Sequence, residues 1–264
     1  MSIYTDKVVW VTGASSGIGA ELVRQFYNLG AKVVMSARNV DKMQAIVNQF
    51  DNPEKCLIVE LDLEQTDNIQ TNVKEVVEKF NRIDFLINNG GLSQRGEASK
   101  TSLDIDRKIM EINYFGAVAL TKAVLPIMQK QQSGHIVAIS SIAGKFGFYL
   151  RSAYSASKHA LQGFYESLLL EEEKNGIKVT IAYPGKINTD ISVSALNADG
   201  NAHGKMDHNQ ATGMPVEECV RKLIKAIEKN KKSVLIGNKE IKAVTLKRFF
   251  PKLFWKVIRK QSPT

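Results

Sequence analysis

The chain has 264 residues, 44% hydrophobic and 24% charged, with a net charge of +9; this balance excludes a disordered chain, and the length suits one α/β domain that needs no staple. Seven basic residues and no acidic one fall between Lys242 and Lys260, so the basicity is local and does not mark a nucleic-acid-binding domain. Two distant cysteines, Cys56 and Cys219, exclude a disulfide framework or zinc knuckle; with no uncharged apolar run of about 18 residues and no signal-like region after Met1, the cytoplasm is the expected location.

Residues 7–12 (KVVWVT) read as a strand covered on both faces, followed by a helix at 18–29. A second strand is expected at 32–36 with a helix at 41–50, a third at 56–61 with a helix at 67–80, and a fourth at 85–88. Residues 106–129 carry the apolar period of one long helix. A fifth strand at 135–140 (HIVAIS), a helix at 153–174, a sixth strand at 178–182, a helix at 216–229 and a last strand at 233–236 complete the alternation. Apolar strands alternating with helices specify an α/β class, a doubly wound parallel sheet of about seven strands. The polar zone 188–214 interrupts the pattern, and a loop this long is functional or disordered. It is expected to close over a substrate. Residues 1–240 then form one domain, and 241–264 a basic amphipathic extension.

Between the first strand and first helix stands Thr12-Gly13-Ala14-Ser15-Ser16-Gly17-Ile18-Gly19. Glycines here allow a tight turn and close backbone approach, and the helix start offers unpaired N–H groups to a pyrophosphate. The second strand ends Met35-Ser36-Ala37-Arg38-Asn39, without the carboxylate that would hold a ribose 2′-hydroxyl. Arg38 can pair with a 2′-phosphate instead, which favours NADP(H).

Tyr154-Ser155-Ala156-Ser157-Lys158 opens a long helix and puts Tyr154 and Lys158 on one face. A phenol is a weak base at neutral pH, and a neighbouring ammonium is expected to lower its pKa. Ser141 ends the preceding strand, where it can hydrogen-bond a substrate oxygen. Asn113 is a polar residue amid apolar helix neighbours and needs a partner if buried.

Over nearly its whole length the sequence resembles the short-chain dehydrogenase/reductase family. The resemblance rests on residues 12–19, Asn88-Asn89-Gly90, Asn113, Ser141, Tyr154, Lys158 and Pro184-Gly185-Lys186-Ile187-Asn188-Thr189. It implies a single-domain Rossmann fold and a tetrad of Asn113, Ser141, Tyr154 and Lys158. Tyr154 would exchange the proton, Ser141 would polarise the substrate oxygen, Lys158 would bind the nicotinamide ribose and acidify Tyr154, and Asn113 would hold a water. It further implies that Asp62, in Leu61-Asp62-Leu63, lies near the adenine, Asn89 beside its ribose, and Ile187 with Thr189 near the carboxamide. Gly13, Ser15, Ser16, Gly17, Ile18, Gly19, Leu63, Gly90, Tyr154, Pro184 and Gly185 complete the expected cofactor contacts. The family usually has Ala before the Gly of its Asn-Asn motif; here the run is Asn88-Asn89-Gly90-Gly91, which is expected to loosen the loop slightly.

The run from Asn88 through Leu92-Ser93-Gln94-Arg95-Gly96 resembles a subgroup related to the 11β-hydroxysteroid dehydrogenases, which implies an apolar pocket. Homodimers or homotetramers are the family's usual assemblies. Between residues 242 and 260, Phe249, Phe250, Leu253, Phe254 and Trp255 interleave with the basic residues, and Pro251 interrupts any single helix. Packing on the domain or a second subunit, contact with a membrane surface, and a flexible tail all stay open. His203, Asp207 and His208 fit no metal template and read as a solvated loop. An NADP(H)-dependent oxidoreductase acting on a carbonyl or secondary alcohol is the leading expectation. A cofactor-binding regulator without turnover and a peripheral membrane protein are the alternatives.

Overall fold

Every residue of the strand Val8–Thr12 (β1) is buried, because helices cover both faces of its sheet. Val8 and Trp10 enter one apolar core while Val9 and Val11 enter the other, as the two-residue period of a strand requires. The computed structural model describes residues 2–261, so residues 262–264 of the expected C-terminal extension lie outside the described residues.

After β1 follow α1 (Gly17–Asn28), β2 (Lys32–Ala37), α2 (Val40–Val47), β3 (Cys56–Glu60), α3 (Ile69–Phe80), β4 (Phe85–Asn88) and the two-residue β5 (Gln94–Arg95). Then come α4 (Leu103–Met110), α5 (Gly116–Gln131), β6 (Gly134–Ile139), α6 (Ser152–Glu172), β7 (Ile177–Pro184), β8 (Leu196–Asn197), α7 (His208–Ala211), α8 (Val216–Glu228), β9 (Ser233–Ile236), α9 (Lys242–Phe249) and α10 (Pro251–Ile258). Seven strands form one parallel sheet in the order β3-β2-β1-β4-β6-β7-β9, the doubly wound sheet expected from the alternation and the Rossmann arrangement that the resemblance implies. The order changes direction where β1 meets β4, which opens a crevice at the carboxyl ends of these strands.

Two expectations change, and the break expected at Pro251 is present. The single helix expected at 106–129 is two helices joined by a π turn at Glu111–Phe115, with Asn113 at its centre; π turns are rare and cluster at functional sites. The zone 188–214 is not structureless: its β8 pairs in parallel with β5, and α7 follows. The C-terminal stretch forms two helices parted before Pro251, whose ring suits a first helical position. They are seated by Phe254 and Ile258, which pack with Phe146. Among the described residues no helix is long and apolar enough to cross a membrane.

Candidate active site

The turn after β1 is built by absence of side chains. Gly13 has φ +64° and Gly17 φ +51°, where L side chains are strained. A Cβ on Gly13 would lie 2.8 Å from Gly90 Cα, and one on Gly19 2.1 Å from Gly13 O. Thr12 Oγ1 accepts from Asn89 N and Gly90 N at 3.0 Å each, and Asn89 Nδ2 donates to Thr12 O at 3.0 Å. These bonds tie the β1 turn to the β4 loop. Ser16 precedes α1 in extended conformation and makes no side-chain cap, leaving first-turn N–H groups for a ligand. This cradle, too tight for a Cβ at Gly13, fits a pyrophosphate. The departure at Gly90 has a reason: Leu63 Cδ1 would lie 2.5 Å from a Cβ there. Leu63 fills the missing methyl's space.

Ser141 follows β6. Its Oγ accepts from Ala143 N at 3.1 Å and donates to Pro184 O at 3.4 Å. Tyr154 and Lys158 lie in the first two turns of α6, both buried. Gln94 caps that helix: its Oε1 accepts from Ala153 N at 2.9 Å and Tyr154 N at 3.3 Å. Asn113 reaches the same place from the π turn. Its Oδ1 accepts from Leu92 N at 2.6 Å, and its Nδ2 donates to Leu92 O and Ser157 Oγ. The Asn113 amide therefore braces the segment beside Tyr154, and its Oδ1, which accepts one bond, keeps a second lone pair.

Burial raises the Tyr154 phenol above the ordinary tyrosine range, while a hydrogen bond with Ser141 and the charges of Arg151 and Arg95 pull it back down. Burial also lowers Lys158 to about 8. Its ammonium donates to Ile139 O at 2.9 Å and lies 5.8 Å from the Tyr154 ring centroid. In the protein alone, burial is the largest influence on both groups, and the charges of Arg151 and Arg95 lower the phenol.

One cavity of about 870 Å³ collects the chemistry. Ser141, Tyr154 and Lys158 line it together with Ile18 and Asn89. Pro184, Gly185, Ile187 and Thr189 form its far wall, and Phe146, Phe148, Leu246, Phe250 and Val257 give it an apolar end. Gly13, Gly17, Gly19 and Gly90 adjoin it through the close approaches above; a Cβ on Gly17 would sit 3.2 Å from Thr189 Cγ2. Ser15 and Ser16 stand in the same turn. Arg38 is exposed just past β2. Asp62 is half-buried just past β3, and its Oδ1 accepts from Glu64 N. Neither lines this cavity, but both stand at the sheet's carboxyl edge.

Sequence reasoning missed Arg95, Arg151 and Asp207, which also line the cavity. Asp207 is 3% exposed, so the solvated-loop expectation for it fails. The only signal was indirect, a lone arginine in an otherwise uncharged run after β4. Among the described residues no group of three potential metal ligands occurs.

A family model described as short chain dehydrogenase matches residues 7–199. The mouse dehydrogenase/reductase SDR family member 7B is 43% identical over 259 residues, spanning 96% of this chain and 80% of its own. A short-chain dehydrogenase from Streptomyces avermitilis is 29% identical with a TM-score of 0.84, covering 98% of this chain and 100% of that one. A metagenomic short-chain oxidoreductase solved with NADP is 31% identical over 69% of this chain and 83% of that one, with a TM-score of 0.65. A Burkholderia phymatum member solved with NAD, 21% identical, shares the fold at a TM-score of 0.83, over 100% of this chain and 98% of that one.

Proposed function

The chain belongs to the short-chain dehydrogenase family, and from that premise we propose that it moves a hydride between NADP(H) and a carbonyl or secondary alcohol borne by an apolar molecule. Membership makes it an oxidoreductase of CH–OH groups with a nicotinamide dinucleotide. The observation that carries the reading is that Ser141, Tyr154 and Lys158 line one cavity with the Asn89 and Pro184–Thr189 walls, at the switch point of the sheet.

The dinucleotide would be held by the Gly13–Gly19 turn, Asn89, Lys158 and the wall at Ile187 and Thr189, and when bound it supplies the hydride. The rest falls to the chain. Ser141 Oγ orients the substrate oxygen toward Tyr154. The Tyr154 phenol, neutral at pH 7 because burial raises it, gives its proton to that oxygen in reduction and takes it back in oxidation. Lys158 is fixed by Ile139 O. The apolar end formed by Phe146, Phe148 and Leu246 excludes water and suits a hydrophobic substrate.

Arg38 is the basis for NADP(H). It stands exposed where the adenosine ribose is expected, with no carboxylate in Ser36 or Ala37 before it. A panel of ketones, including steroids, retinals and β-keto compounds, read by NADPH absorbance, tests the activity. Arg38→Ala should cut the preference for NADPH over NADH by about tenfold or more, leaving NADH affinity unchanged. A wild type that binds NADH as tightly as NADPH would overturn the assignment.

A second reading concerns location. On α9 and α10, Phe249, Phe250, Leu253 and Trp255 are 50–64% exposed, beside Lys247, Arg248, Lys252, Lys256 and Arg259. Such a face suits an anionic membrane surface, where each basic side chain contributes about 1 kcal/mol. The protein should co-sediment with phosphatidylserine-containing vesicles and not with pure phosphatidylcholine, and high salt should release it. Leu253→Asp with Trp255→Asp should abolish sedimentation while sparing turnover. Sedimentation that ignores both salt and these changes would defeat this reading.

A further inference from the structure

A buried charge cluster joins the 188–214 segment to the catalytic helix, and the chemistry above makes no use of it. Asp207, at the start of α7, has a side chain 1% exposed, and the Arg95 side chain is 3% exposed. Arg95 Nε and Nη2 both donate to Asp207 Oδ2, at 2.8 and 2.5 Å. Its Nη1 donates to Ser93 Oγ and Gln94 O at 2.8 and 2.7 Å, so the fork is held in one orientation. Arg151, immediately before α6, donates to the same Oδ2 at 3.1 Å. The other carboxylate oxygen faces His203 Nε2 at 3.5 Å.

These contacts lie on two elements that Tyr154 depends on. Arg151 O accepts from Ser155 N at 2.8 Å, so Arg151 belongs to the first turn of the Tyr154 helix. Gln94, adjacent to Arg95, caps the same turn. On the other side, β8 hangs on β5, with Leu196 N donating to Ser93 O at 3.0 Å. Asp207 then closes the segment, its own N donating to Ser192 Oγ at 3.2 Å. Arg95, Arg151, Asp207 and Tyr154 all line the one cavity.

We propose that Arg95 is a positioning residue: through Asp207 it latches the 188–214 flap over the cavity, and its guanidinium and the Asp207 carboxylate bias the Tyr154 phenol in opposite directions. Arg95 and Asp207 are both buried, where solvent screens their charges little. Arg151 and Arg95 both draw the phenol downward, against burial. The other groups facing Tyr154 are Ser141, after β6, and Lys158, on its own helix; His203 and Asp207 complete the flap side.

The test rests on the reductase reading for one of its two arms. Hydrogen–deuterium exchange on the full chain reads the latch without substrate. Arg95→Met and Asp207→Asn should each raise exchange across 188–211 by about tenfold or more, leaving β1, β6 and β7 unchanged. The second arm follows the pH dependence of alcohol oxidation with NADP⁺, using the alcohol of a ketone found by the panel. Tyr154 acts there as base, so the rate rises with pH through its pKa. Arg95→Met removes a positive charge and should move that limb up by about one pH unit; Asp207→Asn removes a negative charge and should move it down by a similar amount. A purely structural role would move both limbs the same way or neither. Should Arg95→Met fail to melt cooperatively, Arg95→Lys replaces it. Keeping charge but not the fork, it should raise flap exchange and leave the limb in place. Wild-type flap exchange in the Arg95 variant, or limbs that shift together, overturns the proposal. A wild type that turns over nothing overturns the reductase reading, and the exchange arm still decides the latch.

Discussion

Tyr154→Phe should cut turnover about 10²- to 10⁴-fold, the range of a lost general acid, and leave NADPH affinity within about twofold. The substitution removes one oxygen. The ring stays in its buried seat, α6 keeps its Gln94 cap, and Lys158 keeps Ile139 O. Ser141 keeps Ala143 N and Pro184 O, so no buried polar group is stranded and the fold should melt near the wild-type temperature. What disappears is the proton that the Tyr154 phenol transfers to a substrate oxygen. Most cofactor contacts are expected from the Gly13–Gly19 turn, Asn89, Lys158 and the Pro184–Thr189 wall, which the substitution leaves in place. Single-turnover NADPH oxidation gives the rate, and fluorescence titration gives the affinity. A variant retaining more than about a tenth of the wild-type rate would mean that the proton comes from elsewhere.

The sheet and the reacting side chains were legible in the sequence because both are local. An apolar run such as Val8-Val9-Trp10-Val11 declares a strand covered on two faces, and the turn at Gly13 and Gly17 needs the positive φ it has. Ser141, Tyr154 and Lys158 could be picked out by order and spacing, and they meet in one cavity. The π turn at Asn113 could not be seen, since one wide turn barely disturbs an apolar period that continues through Ala117 and Leu120. Strands of two residues, β5 and β8, are too short for alternation to appear. Arg95 and Asp207 stand 112 residues apart, and nothing local in either segment announces the other. The charge states were out of reach for a different reason: they follow from burial, and burial of Tyr154 and Lys158 is a property of the packed site.

That burial has a consequence for stability. Lys158→Met should lose at least about a hundredfold in turnover and yet melt higher than the wild type at pH 7. Burial lowers Lys158 from 10.5 to about 8, and one pKa unit corresponds to 1.36 kcal/mol, so keeping the ammonium charged inside the protein costs the folded state about 3 kcal/mol. The sign follows from proton counts. Between about pH 8 and 10.5 the unfolded chain holds the proton that the folded chain has released, so stability rises with pH across that window. Below pH 8 the full cost is present; above 10.5 it is gone. Methionine fills the same channel without charge and forfeits the bond to Ile139 O, worth about 1 kcal/mol. The net gain of about 2 kcal/mol at pH 7 should raise the melting temperature by about 5 °C, and the gain should vanish as the pH approaches 10.5. Melting curves of the two proteins from pH 7 to 10.5 check this. A variant that melts lower at pH 7, or a gain that does not shrink with pH, would show that the ammonium is not held at a cost. If the gain appears, the cavity is maintained against stability, as a site selected for chemistry is.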